Sequence, residues 1–442
     1  MKILYLISIA LLICTNSNGQ TSLTLQEAVN YGTNNNVEYK NANLDLQIAQ
    51  QKVKESISTG LPKIQSSLGV QNYIDLPTTV IPSNAFNPLA DPDDFEELQF
   101  GTSLNASATI RLDQLIFSAT YIAGLKAAKV YKGLTEKITS KTLLDTKENI
   151  ISAYYGCLIF KENEALLTQS LENLEKIQQE TKVLVKEGII EEINLDQINV
   201  LVLQMKNQIN QLNKQTNNAI SLLKYVIGFP QDSTVVIANK LADFPQDNTS
   251  LSSADFSATQ MLDYQIIEKN RELTELTHKM NTVSGLPTVS GFFSHQQTAL
   301  RNEFNLFDNS KSWYPATFWG INVAIPIFTS GESSAISKQS ALEVKKAENV
   351  LYSVEEGLKQ QFTQVSTNYH LALIALENDK KSLLLSEKIL SNTTKKFSAG
   401  FKSGLDVAQA QNQELNAQNK LLQSHFNLLM AKLKLDKIMN KL

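Results

Sequence analysis

The sequence predicts a mixed α and β fold in which very long helices are combined with short groups of strands and the whole pattern occurs twice. Three observations support this prediction. The phrase Gly-Leu-Pro occurs at residues 60–62 and again at residues 285–287. All ten prolines fall within two windows, Pro62–Pro92 and Pro230–Pro326. Near each window, apolar and polar residues alternate as they do in a strand that has one apolar face.

The first residues predict a secretory signal peptide over residues 1–19. Lys2 supplies the positive charge, Ile3–Ile13 is an apolar run, and Ser17-Asn18-Gly19 has the spacing of a cleavage site. This run is too short to span a bilayer as a helix. Lipid attachment at Cys14 is disfavoured because the residue before it, Ile13, is not small. We therefore expect an exported protein.

The composition argues against several classes of function. The net charge of −4 gives no indication that the chain binds nucleic acid. The histidines lack the spacing of metal ligands or of a catalytic site, so we expect no enzyme activity, metal or cofactor. They are His278, His295, His370 and His425. Beyond the predicted signal the chain has one cysteine, Cys157, and a buried helical cysteine is favoured there over a nucleophile.

Two tracts without proline, Asp93–Phe229 and Ile327–Leu442, are candidates for very long helices. Proline is poorly tolerated inside a helix because it lacks an N–H group and clashes with the preceding turn. A helix from about Ser118 to Glu187 would be about 100 Å long, at 1.5 Å per residue. Such a length is typical of a protein that crosses a distance.

Apolar residues within these tracts recur at steps of three and four, which predicts left-handed coiled-coil packing. The clearest seam consists of Leu195, Ile198, Val202, Met205, Ile209, Leu212, Thr216, Ala219, Leu223 and Val226. A second seam consists of Leu351, Val354, Leu358, Gln361, Val365, Tyr369, Ala372 and Leu376. A weaker third seam consists of Leu405, Ala408, Asn412, Leu415, Asn419, Leu422, Phe426, Leu429 and Leu433. An ordinary helical bundle gives the same spacing and remains an alternative.

Each tract contains a short segment that predicts a tight reversal between two helices. These segments are "KEGIIEEINLD", which begins at Lys186, and "SAGFKSGLDVA", which begins at Ser398. Aligning them places Gly188 on Gly400 and Asn194 on Asp406. Glycine suits the left-handed turn that ends a helix, so we expect two helical hairpins with tips near residues 188 and 400.

Four strands are predicted, at about 63–75, 102–115, 287–299 and 317–328. The clearest is "LNASATIRLDQL" from Leu104, in which every second residue is apolar. Long polar loops over 76–100 and 300–316 join the strands of each pair. This pattern fits an outer membrane barrel, but one chain has too few strands to close it, because barrels of a single chain begin at about eight strands. Either several chains share a barrel, or the strands are soluble hairpins on a helical protein.

Several motifs together resemble the TolC family of outer membrane efflux proteins. They are "SLTLQEAVNYGTNNN" from Ser22, "GLPKIQSSLGV" from Gly60, "IPIFTSGESSAISKQSALEVKKAE" from Ile325 and "FSAGFKSGLDVAQAQ" from Phe397. The resemblance covers essentially the whole chain after the predicted signal.

The resemblance implies a tandem duplication, with a first repeat at 20–230, a linker at 231–254 and a second repeat at 255–442. It also implies a homotrimer in which four strands from each chain form a 12-stranded transmembrane β-barrel. This barrel would continue into an α-helical coiled-coil barrel, a tunnel through the periplasm. The implied partners are outer membrane lipid, a periplasmic adaptor and an inner-membrane pump of the RND or ABC type.

The same resemblance gives roles to residues at the reversals. Asp406, Asn194 and Gln409 would form the pore constriction, and Gln409 stands where the family prototype has a second aspartate. Lys402 and Phe397 would be gate contacts, with Phe397 in place of a tyrosine. The docking tips for the adaptor would be Glu187, Gly188, Ile189, Ala399, Gly400 and Phe401. The spacing Ser403-x-x-Asp406 also predicts a capping box at a helix start, and the two roles of Asp406 are compatible.

The function implied is export through a trimeric channel in the cell outer membrane, in a tripartite efflux or type I secretion system. The resemblance does not distinguish small molecules from proteins as cargo. A periplasmic coiled-coil scaffold without a pore is the alternative from a different class.

Overall fold

A computed structural model describes residues 21–86, 88–89, 91, 93–244 and 256–442. The predicted signal at 1–19 lies outside the described residues, as does most of the second half of the predicted linker. Within the described part, the helices longer than two turns are α1 (Leu25–Asn35), α2 (Val37–Ser58), α3 (Ala119–Lys186), α4 (Glu192–Ile227), α5 (Leu262–Val283), α6 (Glu332–Ser398) and α7 (Gly404–Ile438). The predicted proline-free helices and their reversals are therefore present in both repeats.

The strands are likewise distributed over both repeats. They are β1 (Thr21–Leu23), β2 (Lys63–Asn72), β3 (Thr78–Pro82), β4 (Phe95–Gln99), β5 (Leu104–Phe117), β6 (Val235–Ile237), β7 (Thr288–Arg301) and β8 (Tyr314–Ala324). The four predicted strands correspond to β2, β5, β7 and β8, with ends that differ by a few residues.

The described residues divide into two compact units. One contains Leu134–Glu268, Asn349–Leu442 and the chain up to Gln47, and the other contains Ile48–Gly133 and Lys269–Glu348. The first unit holds most of the helical hairpins, and the second holds the main sheet.

The main sheet has the strand order β2-β5-β7-β8, and every pair in it is antiparallel. The register places Ile64, Leu112, Phe293 and Trp319 in one row across all four strands. The neighbouring row holds Gln65, Arg111, Ser294 and Phe318. Paired residues share a face of a sheet, so one face is largely apolar and the other is more polar.

A short hairpin lies within the segment that the sequence predicts as a polar loop. Strands β3 and β4 pair there, with Val80 opposite Glu97. The acidic residues of this segment disfavour strand structure by propensity, so the sequence predicts a loop where the structure has a hairpin.

The helices of the first unit pack against one another through their seams of apolar residues. On α4 the buried residues include Ile198, Val202, Met205, Leu212 and Leu223, all members of the predicted seam. On α6 the predicted seam is wrong at Gln361, which is exposed, while its neighbour Phe362 is buried.

The third predicted seam, on α7, is wrong in part. Leu405 and Asn412 are exposed, whereas Gln411 and Gln418 are buried. Glu414 joins the two glutamines, because its carboxylate accepts hydrogen bonds of 2.8 Å from Gln411 and 2.7 Å from Gln418. Burial raises the pKa of Glu414, although the bond from Gln411 opposes that shift.

A further core cluster surrounds Tyr154 and Cys157 on α3. The hydroxyl of Tyr154 lies 2.9 Å from the carbonyl of Leu23 and 2.8 Å from Oδ1 of Asn239. It thereby joins α3 to the parallel pair of β1 and β6. Cys157 is 0% exposed, and burial raises its pKa to about 12. The interpretation of Cys157 as a buried core residue is confirmed.

Candidate functional site

Both helical reversals are Schellman turns centred on a glycine. Gly188 has φ +69° and Gly400 has φ +80°, the left-handed region that glycine adopts without strain. The amide of Ile189 donates to Leu184 over 2.9 Å, and the amide of Phe401 donates to Lys396 over 2.8 Å. These bonds satisfy carbonyls that the helix end would otherwise leave unpaired.

The residue after each glycine presents an apolar side chain to solvent. Ile189 is 62% exposed and Phe401 is 82% exposed. Glu187 and Ala399, which precede the glycines, are also exposed. Each predicted docking tip is therefore a tight turn with an accessible apolar residue at its end.

The start of α7, directly after the second tip, carries the capping box that the sequence predicts. The amide of Ser403 donates to Oδ2 of Asp406 over 2.9 Å, and the amide of Asp406 donates to Oγ of Ser403 over 3.2 Å. The ammonium of Lys402 donates to Oδ1 of Asp406 over 2.8 Å. The bond from Lys402, followed by those from Ser403, lowers the pKa of Asp406 to about 2. The carboxylate is thus held in its charged form.

Asn194 occupies the matching position in the first repeat but makes a different contact. Its helix begins after Glu191, whose side chain makes no capping bond. Oδ1 of Asn194 instead accepts a 2.7 Å bond from the amide of Gly404, the first residue of α7. Asn194 therefore caps the helix of the other hairpin and ties the two hairpins together near their tips.

Gly404 is a residue of this site that the sequence prediction missed. A Cβ atom at Gly404 would lie 3.0 Å from the carbonyl oxygen of Asn194 and 3.1 Å from its Oδ1. Glycine suits this position because a side chain would crowd Asn194 where the two backbones approach closely. The glycine beside a cap residue in "KSGLD" was the available signal, but only the structure supplies its partner.

The other predicted site residues lie near these turns in different environments. Gln409 is exposed on α7. Phe397 is 2% exposed and packs in a cluster with Leu174, Ile198 and Val407. In this chain Phe397 supports the base of the tip as a packing residue, and its role as a gate contact stays a prediction.

The second feature that bears on function is the pair of open edges of the main sheet. Among the described residues, β2 and β8 each pair with one strand only. The apolar face of the sheet exposes large side chains on both edge strands, among them Leu68 on β2 and Trp319 on β8. On the other face, the guanidinium of Arg111 contacts Asp113 over 3.0 Å and lies 4.6 Å from the Phe292 ring centroid.

His278 contacts Ser340 and His295 contacts Thr317, and no group of three or more metal-ligating side chains occurs in the part of the chain that the structure describes. Among the described helices, none has a stretch apolar enough and long enough to cross a membrane.

Comparison with known families gives a match to the outer membrane efflux protein family over residues 279–441. Two curated relatives are similar in sequence. The proteases secretion protein PrtF of Dickeya chrysanthemi is 23% identical over 224 residues, which are 49% of this chain and 47% of PrtF. The toxin and drug export protein A of Aggregatibacter actinomycetemcomitans is 21% identical over 74% of this chain and 80% of that protein. The chain thus matches about half the length of the first relative.

Solved structures of outer membrane channels share the fold. The outer membrane protein VceC of Vibrio cholerae has a TM-score of 0.73 and 14% identity, over 94% of this chain and 95% of VceC. The CmeC outer membrane channel of Campylobacter jejuni has a TM-score of 0.74 and 16% identity, over 94% of this chain and 85% of CmeC. The open-state MtrE channel of Neisseria gonorrhoeae has a TM-score of 0.74 and 14% identity, over 94% of this chain and 88% of MtrE.

The fold is that of outer membrane channel proteins with long helical hairpins, and the family match over residues 279–441 agrees with it. The resemblance to the TolC family of outer membrane efflux proteins is confirmed, as is the mixed α and β fold class. The predicted outer membrane location and the predicted role in efflux or secretion agree with the same matches.

Proposed function

We propose that three copies of this chain assemble into one channel for export across the outer membrane, with four strands from each copy in a shared barrel. The observation that carries this proposal is the main sheet, in which β2 and β8 each have one edge without a partner strand among the described residues. Open edges are not tolerated in hydrocarbon, because their backbone groups would remain without hydrogen-bond partners. Pairing β2 of one copy with β8 of the next removes every edge once the ring closes.

The two faces of the sheet give the orientation of the proposed barrel. Ile64, Leu112, Phe293 and Trp319 form one row across the apolar face, which suits contact with lipid. The opposite face carries Gln65, Arg111 and Asp113, which suit a water-filled interior. Alternation of lipid-facing and lumen-facing residues is typical of membrane β-barrels.

Membrane fractionation combined with bilayer recording tests this function. A barrel should remain in the membrane through a high-salt wash, leave it only with detergent, and conduct ions after insertion into a planar bilayer. The alternative, a periplasmic coiled-coil scaffold without a pore, should be released by salt and should give no conductance. Release of the protein from the membrane by salt would therefore contradict the channel proposal.

We further propose that the tips at Gly188 and Gly400 dock a periplasmic adaptor, which connects the channel to an inner-membrane pump of the RND or ABC type. The exposed Ile189 and Phe401 support this, because each offers an apolar side chain at the end of a rigid turn. PrtF is a secretion protein for proteases, and the relative from Aggregatibacter exports toxin and drugs, so both kinds of cargo fit.

A charge at the tip tests the docking proposal. Phe401→Asp replaces an exposed ring, so the fold should be unaffected while crosslinking to the adaptor and export are lost. Phe307→Asp is the matched control, because Phe307 is a similarly exposed phenylalanine in the other unit. If Phe401→Asp exports as well as the control does, the tip is not the docking surface.

We propose that the constriction of the channel includes Asp406, Asn194 and Gln409, with Lys402 setting its charge. The pair of Lys402 and Asp406 supports a constriction that is less negative than bare carboxylates would make it, because each ammonium lies 2.8 Å from a carboxylate oxygen. Removing the charge of Lys402 and removing the charge of Asp406 should shift the ion selectivity of the channel in opposite directions.

A further inference from the structure

We infer that β8 of one copy pairs with β2 of the next copy in the same register that joins the two repeats within a single chain. Ala324 then lies opposite Ser67 of the neighbouring copy, and Phe328 packs against Ile64 of that copy. This inference rests on the proposed shared barrel and goes beyond it, because it states which residues of two copies meet. The register has to be specified, since a shift by one residue moves every side chain of a strand to the other face of the sheet.

The first strands of the two hairpins, β2 and β7, correspond to each other. The phrase Gly-Leu-Pro directly precedes both strands, at residues 60–62 and 285–287. Aligning the two phrases places Lys63 on Thr288, which are the first residues of β2 and β7. Each residue of β2 therefore has a counterpart on β7.

The second strands of the two hairpins, β5 and β8, correspond in the same way. Leu112 and Val323 pair with two residues that are counterparts on β2 and β7, so they are counterparts of each other. The sequence supports this alignment independently, because the alignment places the motif "LIFS" of residues 115–118 on the motif "PIFT" of residues 326–329. Both hairpins are thus built on one pattern.

The contact between the repeats within one chain is the antiparallel pair of β5 and β7, in which Asp113 lies opposite Phe292. The counterparts of these two residues are Ala324 on β8 and Ser67 on β2. In a ring of such chains, the contact within a chain alternates with the contact between chains. One register throughout keeps every Gly-Leu-Pro phrase at the same level of the ring, so we expect Ala324 opposite Ser67 of the neighbouring copy.

The exposure of corresponding residues differs according to whether the contact is present. Phe117 at the end of β5 is 43% exposed, whereas its counterpart Phe328, just after β8, is 85% exposed. Phe293 on β7 is 44% exposed, whereas its counterpart Leu68 on β2 is 82% exposed. The inferred register places Leu68 opposite Val323 on the apolar face of the sheet. The contact between copies therefore removes from water the apolar side chains that are left exposed in one chain.

A β-bulge gives a second indication of the register. The contact within the chain is irregular after Leu115, where one residue is skipped and pairing resumes at Phe117. The counterpart of Leu115 is Pro326. Bulges are among the few places where a sheet tolerates proline. We therefore expect the same bulge between copies, which brings Phe328 opposite Ile64 of the neighbouring copy.

Four double-cysteine variants test the register. Ser67→Cys and Gly69→Cys on β2 are each combined with Asn322→Cys and with Ala324→Cys on β8, all on the more polar face of the sheet. Buried Cys157 stays in place, and the parent protein controls for it. Within one chain β2 and β8 are three strand spacings apart, about 14 Å, so a disulfide between them joins two copies.

The inferred register pairs Ser67 with Ala324 and Gly69 with Asn322. Paired residues have Cα atoms about 4.5–5.5 Å apart, which a disulfide spans. The two other combinations place the cysteines diagonally, about 7–8 Å apart. They are matched controls, because they contain the same four substitutions in the other pairing.

The purified channel is oxidised in detergent, and crosslinked species are followed on gels without reductant. We expect both in-register variants to form crosslinked trimers about tenfold faster than both diagonal variants. Faster crosslinking of a diagonal variant, or no crosslinking of any variant in particles that light scattering shows to contain three chains, would overturn the register and leave the shared barrel standing. A single chain per conducting particle would overturn the register and the shared barrel together.

Discussion

The left-handed turn at Gly400 predicts that glycine-to-alanine substitutions have opposite effects inside α6 and in the turn that follows it. Gly400 has φ +80°, and a Cβ atom there would meet nothing within 4 Å. The cost of Gly400→Ala is therefore the backbone cost of a left-handed alanine, roughly 1–2 kcal/mol. Gly357 lies inside α6, and a Cβ atom there also meets nothing within 4 Å. Gly357→Ala should stabilise the helix by about 0.5–1 kcal/mol.

Thermal unfolding of the detergent-purified protein, followed by far-UV circular dichroism, measures this contrast. With an unfolding entropy of about 2.1 cal/mol/K per residue, 1 kcal/mol corresponds to roughly 1 °C for a chain of this length. Gly400→Ala should lower the melting temperature by about that amount, and Gly188→Ala combined with it should lower it further. Gly357→Ala should raise it. An increase for Gly400→Ala similar to that for Gly357→Ala would refute the left-handed turn.

Three further predictions concern single side chains. Because the pKa of Asp406 is lowered to about 2, its contribution to stability is present above its ordinary pKa and is lost as the pH falls towards 2. Asp406→Asn should therefore reduce the fall in melting temperature between about pH 4 and pH 2. An unchanged dependence of the melting temperature on acid pH would contradict this. Lys402→Gln should raise cation selectivity in planar bilayers and Asp406→Asn should lower it, whereas a shift in the same direction in both variants would exclude a charged constriction at this pair. Cys157 should resist maleimide labelling in the native protein and react after denaturation, since it is fully buried with a pKa raised to about 12, and rapid native labelling would show that the core around Tyr154 is open.

Local sequence signals predicted the elements that local chemistry determines. The absence of proline indicated the long helices, and the aligned glycines Gly188 and Gly400 indicated both tips. Ser403 and Asp406 formed the expected capping box because all of its atoms lie within four consecutive residues. Alternation indicated β2, β5 and β8, each of which has an apolar face, and was least clear in β7.

Features that depend on contacts between distant residues could not be predicted in the same way. The bond between Asn194 and Gly404 joins residues 210 positions apart. The buried Gln411 and Gln418 lie outside the predicted seam because a heptad pattern is based on apolar residues, whereas here Glu414 supplies their hydrogen-bond partner.

The number of chains in the detergent-solubilised channel tests the central claim most directly. Light scattering corrected for bound detergent gives the protein mass of the particle, and each chain has a mass of 49.2 kDa before any processing. Three chains per conducting particle is the result that the open edges of β2 and β8 predict. A preparation that conducts ions in bilayers but contains a single chain per particle would contradict the shared barrel.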